Sequence, residues 1–238
     1  MEQIELNNWD EVTEYLDKGA WKPTPSYFEH IVQHGNYYPK DAFSKGQLVC
    51  KSWLLQALYS VVLQDVKIKF PLATKPALSN ITVGILGSWI GTLVDPLHKT
   101  FNLERIYGID LDPDAIEKSE KLNQRYVQRE WKYKGVVADV SMLNCSNMQF
   151  ETGGELITTK PNWIINTSCE HMDTGWFNTV SPTQLVIMQT NNSPNFDGHI
   201  NPCLSINEMK QKYPMKDIRY TGSLTTPAYT RFMQIGYK

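Results

Sequence analysis

The segment that most constrains the fold is ITVGILGSWIG, residues 81–91, in which glycines interrupt an apolar run. Its first half is short and rich in β-branched residues, which is typical of a buried strand. Gly87 and Gly91 follow where such a strand would end. Glycines at that point either form an ordinary tight turn or let the backbone and a helix N-terminus approach a ligand. The choice between these two roles bears directly on function.

Further short apolar runs recur along the chain and alternate with helical patterns. Together with the glycine-containing run they give five predicted strands, at residues 81–86, 105–110, 135–139, 161–166 and 184–189. Short strands separated by helices predict an α/β fold with a doubly wound, mostly parallel sheet and helices on both faces.

The C-terminus departs from the parallel pattern. Residues 217–223 and 229–237 are two strand-like runs joined by a short turn that contains proline. Two such runs in close succession predict an antiparallel hairpin. With this hairpin the predicted sheet has seven strands.

Helices are predicted on both sides of the first strand. Residues 9–18 form a short amphipathic pattern, and residues 43–63 carry a wide apolar stripe. The pattern is clearest over residues 111–128, where Asp112 is placed to cap a helix that begins with Pro113.

A change in sequence pattern, from helical and aromatic-rich segments to alternating strands and helices, divides the chain into two parts. We interpret residues 1–78 as an N-terminal helical cap or lid segment and residues 79–238 as a Rossmann-like ligand-binding domain. Aromatic residues of the first part are candidates to wall a pocket, and Tyr38 is the one we predict to contact substrate. These candidates are Tyr27, Phe28, Tyr37 and Tyr38.

Charge and composition exclude several classes of function. The formal net charge of −2 provides no broad field for nucleic acid or an anionic membrane. No run approaches the roughly 18 apolar residues that span a bilayer. The four cysteines lie far apart, which favours reduced thiols and a cytoplasmic location over a disulfide framework. We therefore expect neither a nucleic-acid nor a membrane partner.

Polar or glycine residues follow each of the first three predicted strands. They are Gly87, Ser88, Gly91, Asp110, Asp112 and Asp139. In doubly wound sheets, ligands bind at the carboxyl ends of the strands. A carboxylate after the second strand suits two ribose hydroxyls, and one after the third suits an exocyclic amine such as that of adenine. The three strand ends together predict a nucleoside site.

With the terminal hairpin, this pattern resembles the class I S-adenosylmethionine-dependent methyltransferases, in particular members that act on small molecules. The resemblance covers residues 80–238 and implies S-adenosylmethionine as cofactor and S-adenosylhomocysteine as product. It implies that Gly87, Ser88 and Gly91 line the methionine moiety and that Asp110, or less probably Asp112, binds the ribose. It also assigns Asp139 and Val140 to adenine, and Asn166, Thr167 and Ser168 to positions beside the cofactor.

The same resemblance places Glu170 and His171 beside the substrate. Methyl transfer needs alignment of the nucleophile and, for a protonated acceptor, removal of a proton. His171 is the predicted base because an imidazole titrates near neutral pH, and Glu170 orients it or binds the amine of the cofactor. Asn191, Asn192 and His199 follow the fifth strand and are predicted to contact substrate.

A zinc site is an alternative interpretation of the cysteines and histidines in this region. Cys169 and His171 could meet His199 and Cys203 if their loops converge, and zinc accepts that set of ligands. The spacing matches no known finger or hydrolase pattern, so the sequence predicts no metal.

Two residues depart from the family pattern and keep other functions open. Ile85 stands where the family has an acid that holds the methionine amine, and Trp89 replaces a glycine. The alternatives are aminocarboxypropyl transfer or cleavage of S-adenosylmethionine, and a non-catalytic scaffold or partner subunit. A nicotinamide oxidoreductase fits least, because of the terminal hairpin and the G-x2-G-x3-G spacing.

Overall fold

The computed structural model describes residues 1–18, 37–69, 78, 80–128, 131–152, 154–193 and 198–238. The strands are β1 (Glu2–Glu5), β2 (Thr82–Leu86), β3 (Arg105–Asp110), β4 (Tyr133–Val137), β5 (Met148–Thr152), β6 (Glu155–Thr159), β7 (Trp163–Asn166), β8 (Leu185–Asn191), β9 (Asp217–Thr225) and β10 (Thr230–Tyr237). The helices are α1 (Trp9–Lys18), α2 (Lys45–Lys69), α3 (Val94–Phe101), α4 (Pro113–Leu122), α5 (Gln124–Gln128), α6 (Gly175–Asn178) and α7 (Ile206–Lys212). Short 3₁₀ turns lie at Lys40–Phe43, Val140–Met142 and Cys169–His171.

Eight strands form one twisted sheet in the order β1-β9-β10-β8-β7-β2-β3-β4. Strands β4, β3, β2, β7 and β8 run parallel to one another, and β10 is antiparallel to both β8 and β9. The α/β class, the mostly parallel sheet and the C-terminal antiparallel hairpin are therefore confirmed. The chain order reverses between β2 and β7, which is the position where such sheets bind ligands.

The main sheet has one strand more than the seven predicted. The additional strand, β1, pairs in parallel with β9 at the edge of the sheet. Three of its four residues are polar and exposed, so the sequence carries no apolar run to mark it. A separate two-stranded sheet, β5 with β6, was also not predicted.

The helix predicted over residues 111–128 is interrupted at Asn123. The side-chain amide of Asn123 donates to the carbonyl oxygens of Gly91 at 3.1 Å and Ser119 at 2.9 Å. This buried side chain ties the end of α4 to the loop after β2, and α5 begins at the next residue.

Hydrophobic layers cover both faces of the sheet. Val83 and Ile85 of β2 pack in the same layer as Trp53 of α2, whereas Leu86 packs in the opposite layer with Trp176 of α6. Alternate residues of β2 thus point to opposite faces, as the geometry of a strand requires. The doubly wound arrangement is confirmed.

The described part of the N-terminal segment contributes to this same core. α2 buries Trp53, Leu54 and Leu58 against the sheet, and β1 extends the sheet itself. The division at residues 78/79 stays a prediction. Tyr27 and Phe28 lie outside the described residues. Among the described helices, none is long and apolar enough to cross a lipid bilayer.

Candidate active site

A cavity of about 800 Å³ opens at the carboxyl ends of β2, β3, β7 and β8. This volume lies in the range of small-molecule sites, and the position is the switch point of the sheet. The loops that follow these strands line the cavity. Residues of the N-terminal segment line it as well, among them Trp9, Gln47 and Lys51.

The loop after β2 approaches its neighbours so closely that its glycines have no room for a side chain. Gly87 and Gly91 have φ angles of +61° and +66°, in the left-handed region. A Cβ on Gly91 would lie 2.1 Å from Ser119 Oγ of α4, and one on Gly87 would lie 3.0 Å from Ser168 Cβ. Both glycines also line the cavity. They therefore serve loop packing and leave their backbone open to a ligand.

Asp110, the last residue of β3, holds this loop in place. Its Oδ2 accepts a hydrogen bond from the Trp89 backbone N–H at 2.7 Å, and its Oδ1 accepts one from the Asp112 N–H at 3.1 Å. Each carboxylate oxygen has two lone pairs, so both oxygens retain capacity for a ligand hydroxyl. Asp110 and Ser88 line the cavity. Their contacts with the ribose and the methionine moiety stay predictions.

The other two predicted aspartates differ in position. Asp112 caps α4 by accepting from the Asp114 N–H at 2.9 Å, and it does not line the cavity. Asp139 does line the cavity, next to Val140. Hydrogen bonds from Ser141 lower the pKa of the exposed Asp139 carboxyl, which is therefore ionised at neutral pH.

Trp89 adopts a left-handed conformation with a φ angle of +48°, which is rare for any residue except glycine. Its ring packs against a small hydrophobic cluster of Tyr38, Ala42, Ile90 and Leu122. Tyr38 is buried in that cluster and does not line the cavity, and burial raises its pKa to about 12. The prediction that Tyr38 contacts substrate is therefore corrected to a packing role.

The loop after β7 lies beside the glycine loop. Ser168 Oγ donates to the Gly87 carbonyl oxygen at 3.2 Å, and Ser168 and Thr167 both line the cavity. Asn166 is fully buried beneath them and accepts from the Ser168 N–H at 2.9 Å. Asn166 therefore shapes the loop without lining the cavity.

A buried ionic cluster lines part of the cavity. Glu170, Asn191 and Arg231 line it and are 2%, 3% and 5% exposed. Glu170 Oε1 accepts from Asn191 Nδ2 at 2.5 Å and from Arg231 Nη2 at 3.5 Å. Arg231 stands directly opposite Asn191 in the β8–β10 pairing. Arg231 was missed by sequence reasoning, although an arginine within the apolar run of β10 was a usable signal.

Asn192, the next residue after Asn191, has a different role. Its Oδ1 accepts from the Thr230 N–H at 2.9 Å and so secures the start of β10. It does not line the cavity. Its contact with substrate stays a prediction.

Lys51 is the second residue that sequence reasoning missed. It lies on α2, is 8% exposed, lines the cavity and donates to Gln47 Oε1 at 3.0 Å. Burial and the nearby charge of Arg231 lower the pKa of Lys51 to about 8. Burial alone would disfavour the charged Arg231, but the carboxylate of Glu170 and its other neighbours raise the pKa of Arg231 above its usual value.

His171 and His199 meet at the rim of the cavity. Their rings are 4.6 Å apart between centroids in an edge-to-face arrangement. With Glu170 they bring three possible ligand atoms within 4.8 Å of one another. The two cysteines of the alternative zinc site, Cys169 and Cys203, are not part of this group. Both are buried, and burial raises the pKa of both thiols.

No family model matches the sequence, and a search of curated proteins finds no match either. Solved structures do match. Magnesium protoporphyrin IX methyltransferase (ChlM) from Synechocystis PCC 6803 with bound S-adenosylhomocysteine aligns with a TM-score of 0.55 at 14% identity, over 90% of this chain and 95% of that chain. The N-methyltransferase NodS from Bradyrhizobium japonicum WM9, also with S-adenosylhomocysteine, aligns with a TM-score of 0.53 at 9% identity, over 98% and 99%. The chain thus has the fold of S-adenosylmethionine-dependent methyltransferases.

Proposed function

We propose that the protein is an S-adenosylmethionine-dependent methyltransferase that acts on a small polar substrate. The observation that carries the proposal is the convergence of the ends of β2, β3 and β4 on one cavity, with Asp110 bonded to the glycine loop. The similar fold of two methyltransferases that bind S-adenosylhomocysteine supports it.

The residues present fit the cofactor. Asp110 offers carboxylate oxygens for the ribose, Asp139 is an ionised acceptor for the adenine amine, and Gly87 leaves the backbone open beside the methionine moiety. When bound, S-adenosylmethionine supplies a methyl group on a sulfonium sulfur. Trp89 packs against a small hydrophobic cluster and also lines the cavity, whose volume of about 800 Å³ remains in its presence.

The part of the cavity that the buried ionic cluster lines is the proposed acceptor site. Lys51 and Arg231 are two buried cations that face one buried carboxylate, Glu170. A surplus of buried positive charge favours a substrate that carries an anionic group. Glu170 and His171 line this part of the cavity, which supports their predicted catalytic roles. Asn191 contributes by orienting Glu170.

A second use of the sulfonium is favoured by one observation. Ile85 is buried where the family has an acid for the methionine amine, so the amine needs another partner. Transfer of the aminocarboxypropyl group, or cleavage, would release methylthioadenosine, whereas methyl transfer releases S-adenosylhomocysteine. Product analysis by mass spectrometry separates these reactions.

The first test is calorimetric titration of the full chain with S-adenosylmethionine and, separately, with S-adenosylhomocysteine. We expect micromolar dissociation constants for both. If a folded sample binds neither, the cofactor assignment is wrong and the scaffold function takes its place. Cytoplasmic location stays a prediction.

A further inference from the structure

We propose that Glu170, His171 and His199 bind a divalent transition-metal ion at the acceptor end of the cavity. One ligand atom from each residue lies within 4.8 Å of the other two. All three residues line the cavity, so an ion held there would keep open positions on the side where an acceptor binds.

The backbone holds the three side chains together. Glu170 and His171 lie in the 3₁₀ turn that follows β7. The carbonyl oxygen of Glu170 accepts hydrogen bonds from the N–H groups of Ile200 and Asn201, both at 2.9 Å. These two bonds fasten the segment that carries His199 to the turn that carries the other two ligands.

Backbone carbonyl groups also orient both imidazoles. His171 Nδ1 lies 3.2 Å from the Gly198 carbonyl oxygen, and His199 Nδ1 lies 2.5 Å from that of Ser193. A carbonyl oxygen only accepts, so Nδ1 carries the proton and Nε2 carries the lone pair in each neutral ring. This is the arrangement that metal-binding histidines ordinarily have, with one nitrogen fixed by a carbonyl group.

Glu170 supplies an oxygen that lacks a hydrogen-bond partner. Its Oε1 is occupied by Asn191 and Arg231, whereas Oε2 is buried and accepts no hydrogen bond within the described part of the chain. An unpaired buried carboxylate oxygen is costly, and a bound cation would remove that cost. Asn191 and Arg231 would then hold the Glu170 carboxylate in place through its other oxygen, Oε1.

The donor set selects the class of ion. Two imidazole nitrogens and one carboxylate oxygen suit the first-row ions from Mn²⁺ to Zn²⁺, whereas Mg²⁺ and Ca²⁺ prefer oxygen ligands. Among the described residues the ligand group contains no cysteine: Cys169 and Cys203 are buried, and Cys169 Sγ donates to the Asn166 carbonyl oxygen at 3.5 Å.

The role of the ion rests on the proposed function. An ion at this position lowers the pKa of an acceptor oxygen that it coordinates, so the proton leaves to solvent and the oxygen keeps its electron pair. In this arrangement His171 would hold the ion and would not itself remove the proton, so the metal site replaces its predicted role as base. Lys51 and Arg231 add positive charge nearby, which the deprotonated or anionic acceptor offsets.

The test is titration of the metal-free, tag-free full chain with Co²⁺, followed by visible absorption and calorimetry. We expect one ion per chain, visible bands of nitrogen and oxygen ligation, and no thiolate charge-transfer band in the near ultraviolet. His171→Ala and His199→Ala should each weaken binding by about tenfold or more. The exposed Asp173 is the matched control, and Asp173→Asn should leave the affinity within about twofold.

Two results would overturn the proposal: no Co²⁺ binding above that of the double variant His171→Ala, His199→Ala, or equal affinity in all variants. Circular dichroism of each variant checks that it is folded, and His171→Gln replaces His171→Ala if the latter is not. The titration contains no S-adenosylmethionine. Failure of the metal site and failure of the cofactor assignment are therefore observed separately.

Discussion

The two ends of the cavity are built in different ways. At the cofactor end, the contacts are backbone hydrogen bonds and turn conformations between neighbouring strands, as between Asp110 and Trp89. At the acceptor end, buried side chains meet from distant parts of the chain, from Lys51 on α2 to Arg231 on β10. A hydrogen bond to a charged group contributes about 1.5–3 kcal/mol, whereas breaking a buried ion pair costs about 3–5 kcal/mol.

This difference predicts that the acceptor end is the energetically sensitive half of the site. The cofactor end tolerates the loss of single side chains because the sheet and the backbone define it. The acceptor end depends on a balance of charge in which each member requires the others. The following predictions test that contrast.

The largest effect is expected at the buried ion pair. Arg231→Met should lower the free energy of unfolding by about 3–5 kcal/mol, because Glu170 stays buried without its counter-ion. The double variant Arg231→Met, Glu170→Leu should recover much of that loss. Urea unfolding measures both. A loss below about 1 kcal/mol in the single variant would show that the acceptor end is not held by this pair.

At the glycine loop we expect stability to depend on the backbone conformation and on the lack of a side chain at Gly91. Gly91→Ala should cost about 3 kcal/mol, because φ is +66° and the new Cβ would lie 2.1 Å from Ser119 Oγ. Gly154→Ala is the matched control: its φ is +79°, but no atom lies within 4 Å of the added Cβ. The control should cost about 1 kcal/mol. Equal costs in thermal unfolding would contradict the close approach of this loop to α4.

Lys51 should make stability depend on pH in a defined window. Its pKa in the folded chain is about 8, below the usual 10.5, so the unfolded chain binds more protons between these values. The contribution of Lys51 to the free energy of unfolding therefore rises as the pH increases from about 8 to 10.5. Lys51→Met should be more stable than wild type by about 2 kcal/mol at pH 7, and this difference should shrink towards pH 10. A constant difference would mean that Lys51 is not desolvated.

The same contrast explains how much the sequence could predict. Asp110 and the glycine loop were predictable because a strand end and a turn are local features, and parallel strands bring their ends together. Asp112 also follows the second predicted strand, yet its carboxylate caps α4. Helix capping and ribose binding both suit an acid after a strand, so the sequence could not separate the two roles.

The acceptor end was only partly predictable. The sequence predicted four of the residues here, because they lie at or after the ends of strands: Glu170, His171, Asn191 and His199. Their position beside Arg231 depends on the register of β10 against β8. Lys51 is one of several lysines in α2, so no local pattern marks it as part of a site. Long-range pairing, including that of the short polar β1, has no local signature in a single sequence.

The most direct test of the central claim compares Asp110 with its near neighbour Asp112 in calorimetric titrations with S-adenosylhomocysteine. We expect Asp110→Ala to weaken binding by about tenfold or more, since it removes a charged acceptor from the cavity. Asp110→Asn keeps an acceptor for the Trp89 N–H but removes the charge. We expect this variant to weaken binding as well, which would show that the loss of affinity is not caused by the loop alone. Asp112→Ala should cost about 1 kcal/mol of stability and leave the affinity unchanged. Equal affinities in wild type and Asp110→Ala would contradict the claim that the ends of β2 and β3 bind the nucleoside.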